Sequence, residues 1–116
     1  MVGLGVNELS LALEAASNTY QALRDKAAEA RAAGRQADVT RYQNAADEAY
    51  NLQRRARYRL QAGLVNPTGD KVRRLKDATK TLNDRLEALR NAQEDLDAIT
   101  DGISILSDVI KLFGLR

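Results

Sequence analysis

The chain has no cysteine, no histidine and no tryptophan, and only one proline and one phenylalanine in 116 residues. Without cysteine there is neither a disulfide framework nor a thiol nucleophile. Without histidine the commonest general base and the usual zinc and haem ligands are missing too. No stretch approaches the ~18 consecutive apolar residues of a membrane span. The start offers only Val2, Leu4 and Val6 between glycines before Asn7 and Glu8, too little for the apolar core of a secretory signal. The expected location is therefore cytoplasmic, with export by a dedicated secretion machine left open. What is present is 44% hydrophobic, mostly alanine and leucine, with 18 basic and 16 acidic residues, the make-up of an all-α protein.

Small or apolar residues at Val6, Leu9, Leu13, Ala16, Tyr20, Leu23, Ala27 and Ala30 alternate in steps of three and four, the period of a helix and not of a strand. Asn7 is the expected N-cap and Gly34 the C-terminal stop, giving a first helix over about residues 8–33. A second stripe, Tyr42, Ala45, Ala46, Ala49, Leu52, Ala56 and Leu60, predicts a helix over 37–62, with Asp38 as its cap and Gly63-Leu64 as its end. Its alanines fill little volume, so the two helices should pack closely as an antiparallel hairpin. Asn66-Pro67-Thr68-Gly69 is the clearest break, after which Thr68 or Asp70 caps a third helix.

From there Leu75, Leu82, Leu89, Leu96, Ile103 and Ile110 recur every seven residues, and the pattern predicts one helix over 69–113. The chain then reads as one domain over 1–116, a three-helix bundle that becomes four helices if it folds back near Gly102. A third helix of about 65 Å would outrun a hairpin of about 40 Å. The overhang is the most apolar part of the chain, with Ile99, Ile103, Leu106, Val109, Ile110 and Phe113 among its residues. Burying one such side chain stabilises by roughly 1.5 to 3 kcal/mol, so the group is expected to be covered. Pairing with a second copy is the first solution, a fold-back at Asp101-Gly102 the second, and a foreign protein or a membrane surface the third. The polar face of this segment carries Asp101 and Asp108 against Lys111, which suits protein better than anionic lipid.

The net charge of +2 conceals segregation. Residues 54–80 hold nine basic and two acidic side chains, and residues 81–101 hold two basic and six acidic. Arg54, Arg55, Arg57 and Arg59 end the second helix, where the helix dipole favours cations; Lys71, Arg73, Arg74 and Lys76 begin the third, where it opposes them. The two groups are expected to converge at the loop holding Pro67 as one basic patch. An acidic protein, or the acidic stretch of a second copy, is its expected acceptor. Nucleic acid is disfavoured by the lack of a recognition-helix or phosphate-loop signature. Tyr42, Tyr50 and Tyr58, every eight residues, are expected to fill gaps in the interior, with a partner-binding strip as the alternative.

Catalysis would fall to carboxylates, but neighbours such as Asp47-Glu48 and Glu94-Asp95 point about 100° apart on a helix. No enzyme activity, cofactor or metal is expected. The hairpin around Ala30, Gly34, Ala37, Tyr42, Ala45 and Ala49 resembles a single tetratricopeptide helix pair, but no copy follows 34 residues on, so no family is assigned. The reading that results is a non-catalytic helical protein-interaction module. Its expected type is a bacterial adaptor, effector-binding chaperone or immunity-like partner that uses the apolar C-terminal helix. A structural homo-oligomer, a membrane-active helical protein and a nucleic-acid binder follow in that order.

Overall fold

The computed structural model describes residues 5–63, 68–90 and 96–113. It is all-helical, with four helices: α1 (Val6–Ala32), α2 (Gln36–Ala62), α3 (Gly69–Arg90) and α4 (Leu96–Leu112).

Helix α1 begins two residues earlier than Asn7 as N-cap would allow. Gly5 is its N-cap in the left-handed region (φ 86°), with its carbonyl accepting from the Leu9 N–H at 2.9 Å. At the other end the expectation for Gly34 holds. With φ 75° it lets the Arg35 N–H reach the Ala30 carbonyl (2.9 Å) while its own N–H reaches that of Arg31 (3.1 Å), a Schellman closure. Asp38 does not cap α2; Arg35 is the N-cap residue, and Asp38 sits in the first turn, paired with Arg35 (3.5 Å) and Arg41 (4.0 Å). Gly63 ends α2 with φ 87°, whereas Leu64, Asn66 and Pro67 lie outside the described residues. Thr68 is the cap of α3, its Oγ1 accepting from the Lys71 N–H at 3.2 Å.

The long third helix is the main correction. It ends by Arg90, and α4 turns back against it. Leu82 faces Gly102 and Arg85 reaches the Ala98 carbonyl (Nη1 to O, 2.8 Å), a pairing that runs antiparallel. The chain therefore folds back, but not at Asp101-Gly102, which is interior to α4. Gly102 marks instead a close approach of the two helices: a Cβ there would lie 3.2 Å from Leu82 Cδ1 and 3.4 Å from Arg85 Cδ. The seven-residue row hid the turn because Leu75, Leu82 and Leu89 on α3 and Ile103 and Ile110 on α4 all enter the same core.

Helix α1 packs on α2 and on α3, and α4 packs on α2 and on α3, while α2 and α3 share no contact among the described residues. The four thus occupy the corners of a bundle of 50 × 22 × 22 Å, with α2 and α3 at opposite corners. The α1/α2 seam is largely alanine, Ala12, Ala15, Ala16, Ala45, Ala46 and Ala49 all being buried, which brings these helices close. The α3/α4 side supplies the bulk, in Leu75, Leu82, Leu89, Ile99, Leu106, Ile110 and Phe113. The two polar side chains buried among them, Thr19 and Thr79, each donate to the carbonyl one turn back, Ala15 (2.7 Å) and Leu75 (2.8 Å).

Candidate partner-binding face of the second helix

Of the residues expected to bind a partner, Ile99, Ile103, Leu106, Ile110 and Phe113 are buried in the chain's own core and Val109 is half-buried against it. The overhang that called for a partner does not exist, because the fold-back gives these side chains α1, α2 and α3 to pack on. What α4 leaves at the surface is mostly Asp97, Asp101, Ser104, Asp108 and Lys111, with Ile105 as its one large exposed apolar side chain.

The basic patch is also redistributed. Arg54, Arg55, Arg57 and Arg59 lie on α2, and Lys71, Arg73, Arg74 and Lys76 on α3, at the same end of the bundle but at diagonal corners. They form two surfaces, not one. On α3 the charge is largely answered locally: Arg73 and Arg74 both pair with Asp70 (2.9 and 3.2 Å), and Lys80 pairs with Asp84 (3.1 Å). Asp70 in the first turn also relieves the conflict with the helix dipole. Lys76 lines a groove between α1 and α3 with Leu11 and Thr79.

The arginines at the C-terminal end of α2 are not answered in this way. The chain has no acidic residue between Glu48 and Asp70. None of the four arginines forms an ion pair among the described residues, and two of them turn to tyrosines instead. The Arg54 guanidinium lies 6.0 Å from the Tyr50 ring centroid and that of Arg59 lies 5.1 Å from Tyr58. The Tyr20 ring of α1 meets Tyr50 at 5.5 Å, tilted by 46°, and carries Arg24 at 5.7 Å. The Arg59 Nε is buried without a hydrogen-bond partner among the described residues.

The tyrosines overturn the expectation of an interior role for two of three. Tyr42 is 5% exposed, but Tyr50 is 45% and Tyr58 59% exposed. Eight residues advance a helix by about 80° beyond two full turns, so two such steps carry a side chain from the core to the opposite side. The spacing itself contained that answer. Asp47, Glu48 and Asn51 complete the outer face of α2, all three exposed. Glu48 and Asn51 also line an open polar groove toward Thr100, Asp101 and Asp108 of α4.

Among the described residues no three Asp or Glu side chains gather as a metal site, and no helix is long and apolar enough to cross a membrane. Comparison with family models, with curated proteins and with solved structures finds no match to this chain.

Proposed function

We propose that the chain is a non-catalytic protein-binding module, an adaptor-like helical bundle whose contact surface is the outer face of α2 and the adjoining flank of α1. This moves the contact from the apolar C-terminal helix to the arginines and tyrosines between Tyr50 and Arg59. The observation that carries the reading is the exposure of Tyr50 and Tyr58 among four arginines that form no ion pair among the described residues. Tyrosine and arginine are the side chains most enriched where protein interfaces hold their binding energy, and both are pre-ordered here by stacking on one another.

Protein is favoured over nucleic acid by two features of the same face. Asp47 and Glu48 stand about two turns from Arg54 and Arg55 on the same face and would repel a phosphate backbone. The Tyr20 and Tyr50 rings pack on each other, tilted by 46° at 5.5 Å, and do not form a flat platform for bases.

A photo-crosslinking phenylalanine analogue at Tyr58, with Asp84 on α3 as the control position, tests the reading in cells expressing the chain. The expected result is an adduct at Tyr58 that protease removes and nuclease does not, with none at Asp84. A nuclease-sensitive adduct, or no adduct at Tyr58, overturns it.

A further inference from the structure

The charges on the outer face of α2 are ordered. Going along the helix, Asp47 and Glu48 come first, Asn51 lies in the middle, and Arg54 and Arg55 follow. At 1.5 Å per residue the acidic pair lies about 6 and 4.5 Å before Asn51 and the basic pair about 4.5 and 6 Å after it. At about 100° per residue, Glu48 and Arg55 lie roughly 50° to one side of Asn51, and Asp47 and Arg54 roughly 50° to the other.

That arrangement is self-complementary. If two such helices meet antiparallel on a two-fold axis passing by Asn51, each residue faces the one with the same sideways offset and the opposite displacement along the helix. Glu48 then faces Arg55 of the second copy, and Asp47 faces Arg54 of the second copy. The symmetry repeats both pairs, so four ion pairs surround an Asn51–Asn51 contact. Near the crest of the helix, Tyr58 falls over Asn44 of the second copy. The like-charged encounter in this register, Arg41 with Arg59 of the second copy, falls at the rim, where Arg41 already faces Asp38 in its own chain.

We propose, resting on the protein-binding reading of this face, that its occupant is a second copy of the chain, docked α2 to α2 in antiparallel fashion about a two-fold axis at Asn51. A two-fold interface requires one patch that complements itself, and the order acid, amide, base along one exposed helix meets that requirement. No foreign partner needs to be invoked to satisfy Arg54 and Arg55.

Charge reversal tests it on the purified full chain. Wild type is expected to sediment at twice 12.8 kDa. D47K/E48K makes the face wholly basic and R54E/R55E makes it wholly acidic. Each variant alone should dimerise at least tenfold more weakly, and an equimolar mixture should restore a dimer containing one of each. Asp47, Glu48 and Arg54 are exposed and Arg55 is half-buried, and recovery of a mixed dimer shows that both variants are folded. Raising the salt should weaken the wild-type dimer, as expected for exposed ion pairs. A wild type that stays monomeric, variants that dimerise undiminished, or a mixture that fails to pair overturns the proposal. A monomeric wild type whose Tyr58 crosslinks another protein leaves the binding face standing and removes only self-pairing; a nuclease-sensitive adduct removes both.

Discussion

Replacing Gly102 by leucine separates the folded-back bundle from a straight third helix by the sign of its effect. On an extended, solvent-exposed helix, leucine is preferred to glycine by about 0.8 kcal/mol, so the substitution would stabilise. In the bundle the position lies where α4 crosses α3. A Cβ there already sits 3.2 Å from Leu82 Cδ1, 3.4 Å from Arg85 Cδ and 3.6 Å from Leu82 Cα. Leu82 is fully buried and Arg85 is held by its bond to the Ala98 carbonyl, so neither can move aside freely. The three further carbons of leucine would have to push the helices apart, and overpacking of this kind costs about 1–3 kcal/mol. After subtracting the propensity gain, a net loss of about 0.2–2 kcal/mol remains. For a chain of this size that is a fall in Tm of up to roughly 8 °C. Thermal unfolding followed by circular dichroism at 222 nm measures it. A Tm equal to or above that of wild type would refute the close α3/α4 crossing. Gly102→Ala sets the scale between the two: its single methyl gains a similar propensity and needs a shift of only a few tenths of an ångström, so its Tm should stay within a few degrees of wild type.

Ile103→Asp and Ile110→Asp each place a carboxylate in the core and should abolish cooperative unfolding with loss of most helical signal; retention of full helicity would mean that these residues are not buried in the chain's own fold. Phe113→Ala removes a fully buried ring and should destabilise by about 3–5 kcal/mol in urea titration. Gly34→Ala has open space around the new methyl but must hold φ 75°, so its expected cost of about 1 kcal/mol is backbone strain alone, and no loss at all would contradict the Schellman closure. Arg73→Ala, which breaks an exposed pair with Asp70, should change stability by less than about 0.5 kcal/mol, read from the same urea titration.

The ends of the helices were legible where one residue type has one physical use. Gly34 had to be left-handed after a run of alanines, and Thr68 had a hydroxyl to offer the first turn of α3. The start of α1 differs from the expectation because Gly5, free to take φ 86°, caps two residues before the more conventional Asn7. The break between α3 and α4 left a weaker trace. Asn91-Ala92-Gln93-Glu94-Asp95 contains no glycine or proline, and the hydrophobic interval of seven passes through it unchanged. The available signal was the acidic run Glu94, Asp95 and Asp97, a composition that suits the start of a helix better than its interior.

The sequence by itself determined the class of fold and the sides of each helix, because a 3.6-residue period assigns every position to an inner or an outer face without reference to what lies opposite. For the tyrosines it determined more than composition suggests, since the eight-residue spacing turns Tyr58 away from the side that buries Tyr42. Only the tertiary structure decided which faces found partners within the chain. It gave Ile99, Ile103, Leu106, Ile110 and Phe113 to the core and set the arginines of α2 and the basic residues of α3 on opposite corners. The physical reason is that a helical pattern fixes angle around an axis but not the direction of the next axis. The direction in which α4 leaves α3 decided whether its seventeen residues extended into water or closed the bundle.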